Sequence, residues 1–292
     1  MSFWVTFSAL LPIIIVVLCI LLLKQNIILS STIGLALTGL LIVFIDAFQI
    51  TIPQTWEIIS STLVLSVSVV TVIIPGLYFN GIMREQKRID KISDWMENLP
   101  IISEKKALIL LVGFLPAVES LTGFGISLFL GVPIFLKLFP SEIALKLSLL
   151  GMNIMPWGTL ALATITGANL VQQSIKQLGT FTSLTSFIVF PYIALVSLYI
   201  IGGSKTFKKH FILALFLGFL LSVLLAVNNY FVSTKTAGVL AGMITGLFGI
   251  FLAYRGKIHI KVVFNRKTIK TFFSLLLGLD FSIFCAFFPT IK

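Results

Sequence analysis

Read for its alternation of apolar and polar positions, the chain is a series of long apolar runs joined by short polar segments. Runs fall at about 3–23, 27–47, 57–83, 142–164, 180–201, 211–231, 236–254 and 271–289. At about 1.5 Å per helical residue, each is long enough to cover roughly 30 Å of hydrocarbon. The stretch 107–139 is also apolar but breaks the pattern. It reads ALILLVGFLPAVESLTGFGISLFLGVPIFLKLF, with Glu119 near its middle and Gly113, Pro116, Gly123, Gly125, Gly131 and Pro133 spread through it. Between the third run and this stretch, residues 84–106 have another period. Ile89, Ile92, Met96 and Leu99 are spaced three, four and three apart, with Trp95 beside them. That is one apolar stripe on a helix, expected to lie along a membrane surface.

Composition strengthens the membrane reading. The chain is 58% hydrophobic and 11% charged, with a mean hydropathy of +1.11, whereas soluble domains carry roughly a quarter of charged residues. The expected fold is an all-α polytopic membrane protein, one transmembrane domain over residues 1–292, with about eight transmembrane helices. The first run lacks a basic leading segment and a small-residue cleavage site, so it reads as a retained span. Cys19 and Cys285 fall inside apolar runs and read as packing residues, with no disulfide or metal site implied.

The net charge of +11 suggests no nucleic-acid partner, because its basic residues collect between spans. Residues 84–106 carry six, residues 202–210 three, and residues 255–270 six with no acid. The segment from Asp46 to Glu57 has no Lys or Arg, and 229–235 has only Lys235. The positive-inside rule puts the first group in the cytoplasm and the amino terminus outside, in a plasma membrane. Counting crossings from both ends then requires 107–139 to begin and end on the cytoplasmic face. Its 33 residues are too many for one crossing and too few for two full ones, which take about 20 residues each. A re-entrant or broken helical hairpin with two shortened or half-length arms fits, its turn near Glu119–Gly125.

The run 142–164 carries a second break, GMNIMPWGTL, with Asn153, Pro156, Trp157 and Gly158 in sequence. Broken helices facing one another near the midplane are how many secondary transporters build a substrate site. An ionisable residue at that depth is expensive and is a functional candidate. Glu119 clearly qualifies. Asp46 and Glu57 sit at span ends, Glu142 reads as complementing a helix amino terminus, and the register around Asp280 is left open. Burial favours the neutral form of a carboxyl, so Glu119 can take up a proton and release it when exposed. The competing reading is a glutamate that pins the hairpin turn. Gly123 and Gly125 leave backbone N–H groups free at the start of the returning helix, where an anion such as a carboxylate would bind. Ser120, Thr122 and Ser127 add hydroxyls. Arg84, Arg88, Arg255 and Arg266 lie in predicted loops, and Lys137 is expected to snorkel. No nucleotide-binding loop, nucleophile–base pair or metal motif is present, so enzymatic activity and a cofactor are not expected.

The stretch AVESLTGFGISLFLGVPIFLKL resembles the hairpin of the L-lactate permease family, whose motif is approximately E-G-A-A-G-F-G-T-P. ALLP near the amino terminus, LYFNGIMRE, FPSEIALKLSLLGMNIMPWGTL and GGSKTFKKH follow in matching order, so the similarity spans roughly residues 9–255. The resemblance implies a symporter of a proton with lactate or related 2-hydroxy monocarboxylates. It carries Glu119, Gly123, Phe124 and Gly125, then Asn153 and Gly158, over as substrate- or proton-binding residues. Leu121 and Thr122 stand where the family has two alanines, and Ile126 and Ser127 replace its Thr-Pro. Family members are nearly twice as long, and this chain is similar to their first half. The resemblance therefore implies a homodimer, a second polypeptide supplying the other wall of the site, or a non-transporting subunit or inactive remnant. Transport of another small organic anion is a further alternative.

Overall fold

The computed structural model describes residues 3–85, 88–123 and 125–254, and every element among them is helical. The expected span 271–289, the basic loop 255–270 with Arg255 and Arg266, Cys285, Asp280 and Phe124 lie outside the described residues. The chain forms two compact units, Met1–Val67 and Ser68–Lys292.

In the first unit, α1 (Phe3–Leu21) and α2 (Ile27–Phe44) pack together. The joint is short: Lys24 adopts a left-handed φ of 49°, and Asn26 Oδ1 accepts the Ile28 N–H at 3.0 Å, capping α2. Gly34 allows the close approach, since a Cβ there would lie 2.4 Å from Val16 Cγ2. Cys19 is buried, as a packing residue should be. Beyond α2, Asp46 opens a short 3₁₀ turn. Helix α3 (Ile52–Glu85) follows, and the boundary between the units falls within it.

The second unit holds the irregular helices. Helix α4 (Arg88–Asn98) leads to α5 (Ser103–Ile109), which runs through a π-helical turn, Leu110–Phe114, into α6 (Leu115–Thr122). The cause of the π turn is Pro116. It has no N–H, and its ring crowds the carbonyl one turn back; widening the helix relieves the clash, with Leu115 N–H bonding the Leu110 carbonyl. The chain reverses at Gly123–Gly125 into α7 (Ile126–Leu138). It continues through α8 (Ser141–Leu150), a 3₁₀ turn at Met155–Trp157 and α9 (Gly158–Leu170). The hairpin expected at 107–139 is present, with two helical arms shorter than a full crossing within that segment. With its lead-in from Ser103, the first arm to Thr122 is about 30 Å long, and the second is about 20 Å.

Helix α10 (Ile175–Phe231) has 57 residues and covers two expected spans. It is a pair of antiparallel helices rather than one rod. Gly203 has φ 60° and ψ −154°, a conformation that favours glycine, and the chain folds back there. Ser222 Oγ then donates to the Ser186 carbonyl at 2.7 Å, and Asn229 Nδ2 to Thr180 Oγ1 at 2.9 Å. Gly218 sits against Pro191, where a Cβ would meet backbone at 2.5 Å. By length and composition, four described helices can cross a membrane when α10 is taken as one, or five if the bent pair α8 and α9 forms one span. The expected eight are not reached among the described residues.

Helix α11 (Thr234–Tyr254) packs antiparallel to the first hairpin arm through a seam of small residues. Gly238 faces Ser120, Gly242 faces Ala117 and Gly113, and Gly246 faces Gly113 and Phe114. Spacing of four residues puts these glycines on one helix face, so backbone meets backbone. Outer faces are apolar: Ile188, Ile212 and Phe251 are 78%, 81% and 72% exposed. Such a shell suits hydrocarbon rather than water.

The amphipathic segment behaves differently from its expected place on a lipid surface. Met96 and Leu99 are buried in a core shared with Ala107, Ile134 and Phe135 of the hairpin, and Trp95 meets Phe114 edge-on with ring centres 6.0 Å apart. Lys137 pairs with Asp94 and, at 3.3 Å, with Glu97, while Lys106 Nζ donates to the Glu97 carbonyl at 2.5 Å. Lys137 therefore reaches carboxylates on α4, which packs against α7. The side chains of Ile89 and Ile92 lie outside the described residues.

Candidate functional site where two broken helices meet

The local sequence dictates both breaks. In the hairpin, Gly123 (φ 70°, ψ −164°) and Gly125 (φ 77°) take conformations that L side chains rarely adopt. In the other element, α8 ends at Leu150, Pro156 lies in the 3₁₀ turn Met155–Trp157, and Thr159, Leu160 and Ala161 follow with φ of 52°, 54° and 63°. Three consecutive left-handed non-glycine residues cost about 1–2 kcal/mol each. The pair α8 and α9 is bent by 55° across this break, the second discontinuity expected from the sequence.

The two breaks touch. A Cβ on Gly123 would fall 1.6 Å from Thr159 Oγ1, one on Gly125 3.1 Å from Met152, and one on Gly158 3.8 Å from the Glu119 carbonyl. Asn153 ties them together: its Nδ2 donates to the Leu111 carbonyl at 2.9 Å and to the Leu150 carbonyl at 3.0 Å. The first acceptor is an orphan of the π turn. Its i+4 donor, Leu115 N–H, already bonds Leu110, and its i+5 residue is Pro116, which has none. Likewise Thr164 Oγ1 donates to the Pro156 carbonyl at 2.6 Å, satisfying a group freed by the second break.

At the centre lies Glu119, fully buried. Its Oε1 accepts the Gly125 N–H at 3.0 Å and its Oε2 accepts the Ser127 N–H at 3.0 Å. The carboxylate thus caps α7, where the helix dipole favours a negative charge. The returning helix does offer the anion site expected from the glycines, but the chain's own Glu119 occupies it. That geometry makes Glu119 a pin across the turn, whatever else it does.

The remaining sequence candidates are distributed around this pair. Ser120 is buried against Gly238 and Trp157, and its hydroxyl has no protein partner. Ser127 Oγ, Asn153 Oδ1 and Trp157 Nε1 are also buried without one. Thr122 is used inside its own helix, donating to the Val118 carbonyl at 2.6 Å, so it offers no free donor to a ligand. Gly158 begins α9 beside the Glu119 backbone. Sequence reasoning missed Met152, Thr159 and Gly238. Gly238 belongs to the spaced-glycine pattern on α11, which was the one available signal; nothing in the sequence pairs Thr159 with Gly123.

The acids at span ends behave as ordinary surface groups. Asp46 accepts from Gln49 Nε2 at 2.8 Å, and Glu142 pairs with Lys146 at 2.6 Å in the first turn of α8. Among the described residues, no cluster of three His, Cys, Asp or Glu side chains is arranged to hold a metal ion.

Compared with known proteins, the chain matches no family model, no curated sequence and no solved structure.

Proposed function

We propose that the chain is a secondary transporter unit that moves lactate or a related 2-hydroxy monocarboxylate with a proton across the plasma membrane. The observation that carries this reading is the meeting of two helix breaks around a fully buried carboxylate, Glu119. A carboxylate in that position has a backbone N–H cradle and no exposed water, the chemistry needed to exchange a proton and handle an anion. Eight spans with the hairpin dipping in from the cytoplasmic face, and an outside amino terminus, complete the topology. A second copy or another polypeptide would supply the other wall of the site.

The test is uptake of labelled lactate by vesicles containing the purified protein. With an inward proton gradient the vesicles accumulate lactate, a protonophore collapses the accumulation, and Glu119→Gln loses the gradient-driven part. Competition by glycolate, pyruvate and acetate then defines the anion class.

One observation favours a second reading. Both Glu119 oxygens are engaged within the hairpin, as they would be in a membrane subunit whose glutamate only holds the turn. In that case vesicles take up no lactate at any gradient, and lactate leaves the thermal unfolding of the purified protein unchanged.

A further inference from the structure

The unusual feature of the site is that its anion position is filled from within. A carboxylate presents two oxygens, and Glu119 uses one on Gly125 N–H and one on Ser127 N–H, each at 3.0 Å. A small monocarboxylate carries the same two-oxygen group. Helix α7 offers these donors at its amino terminus, over 13 residues of aligned dipoles. Independent evidence that a polar ligand belongs beside them comes from Ser127 Oγ, a buried hydroxyl without a protein partner in the first turn of α7. Three further buried polar atoms without partners, Ser120 Oγ, Trp157 Nε1 and Asn153 Oδ1, lie elsewhere around the two breaks. Native proteins leave few buried polar groups unmatched, and each such group asks for a partner.

We infer that Glu119 is a built-in substitute for the substrate, and that a monocarboxylate displaces it from the Gly125 and Ser127 N–H groups as Glu119 takes up a proton. This rests on the carboxylate–proton symport reading above. The exchange balances: one proton moves onto the Glu119 carboxylate, which then releases the cradle, and one substrate carboxylate accepts the two N–H bonds. Net charge in the cradle is unchanged. Protonation alone would weaken the carboxyl's hold on the two N–H donors with nothing to replace it, and binding of the anion without the proton would bring two carboxylates together in a buried space. Each half-step is unfavourable alone, which couples proton to anion one for one.

Few other charges lie on the described elements around the exchange. The elements packed on α6 are α7, α9, α11 and the turns flanking them. Their described residues carry no other acid. Their cations are Lys137, in the last turn of α7 and paired with Asp94 and Glu97, and Lys235, exposed in the first turn of α11.

The experiment measures lactate binding to the purified protein across a pH series, for the wild type and Glu119→Gln, with counterflow exchange in vesicles. In the wild type, apparent affinity rises by up to about tenfold per unit fall in pH, because one proton is bound with each anion. Glu119→Gln, which keeps the shape without the charge, binds lactate at least as tightly as the wild type at acid pH, shows no pH dependence, and keeps counterflow while losing accumulation. Infrared difference spectra of the wild type provide a measurement free of any folding defect in the variant: lactate binding should create a protonated-carboxyl band. A pH dependence that survives in Glu119→Gln, or lactate binding with no new protonated carboxyl, overturns the displacement and leaves symport standing. A wild type that neither binds nor transports lactate at any pH removes both.

Discussion

The Glu119 carboxyl is held by backbone donors alone. Two N–H groups and a helix dipole do what an arginine does in many anion sites, and they do so only because Gly125 reverses the chain within reach. A different single-residue device lies near the chain's charged end. His210 is buried, its Nε2 has no partner, and burial chiefly, then Lys209, disfavours its cation; Glu104 opposes this and Lys105 adds to it. Its proton affinity is therefore lower folded than unfolded. The unfolded chain binds the proton first as pH falls through about 6.5, so stability is full above that value and declines below it. His210→Gln should flatten this acid-side loss, read as the difference in thermal unfolding temperature between neutral and mildly acidic buffer. An equal acid-side loss in the variant would assign the effect to another group.

Among the elements, the decisive contact joins the first hairpin arm to α11. A helix with a π turn and a proline has a weakened hydrogen-bond ladder, and it is held by close backbone packing along Gly238, Gly242 and Gly246. Gly242→Ala tests this. The added Cβ would lie 2.6 Å from Ala117 N and 2.7 Å from the Gly113 carbonyl, both backbone atoms that cannot swing aside. Overpacking of this kind costs about 1–3 kcal/mol, so the variant should unfold several degrees lower in detergent. Gly39→Ala, on α2, with nothing within 4 Å of the new Cβ, serves as the control and should be neutral or better.

For the second unit as a whole, its ends are chemically distinct. Met96 and Leu99 pack in the same core as Ile200, Ile201 and Tyr254, and Glu104 and Lys105 act on His210. The basic segments 84–106 and 202–210 therefore share one end with the carboxyl end of α11, where 255–270 begins. The opposite end joins Asn229 to Lys176 and Thr180. A common end is what a common membrane face requires. With single cysteines introduced on a cysteine-free background, a membrane-impermeant maleimide applied to intact cells should label position 235 and spare position 208. The reverse pattern would invert the orientation, and labelling of both would break the shared-face assignment.

The sequence by itself carried the apolar period, the charge asymmetry between joints and the positions of the breakers. Those are local properties, so long apolar helices, a hairpin turn near Glu119–Gly125, a joint at 202–210 and a break in GMNIMPWGTL were legible before any coordinates, though not the number of spans. It also located Glu119, because an acid amid apolar residues is visible in one dimension. Which donors Glu119 meets was not legible. A free helix terminus and an occupied one have the same sequence, and only the distance from Glu119 to Gly125 and Ser127 separates them. The same holds for Asn153, whose amide serves an orphaned carbonyl 42 residues away, and for Met96 and Leu99, whose stripe suits lipid and protein alike. Amphipathic period says that a face must be covered; what covers it depends on which other surface the chain brings near. Partner choice is a property of tertiary packing, and it was the tertiary structure that turned an open anion site into one already holding a carboxylate.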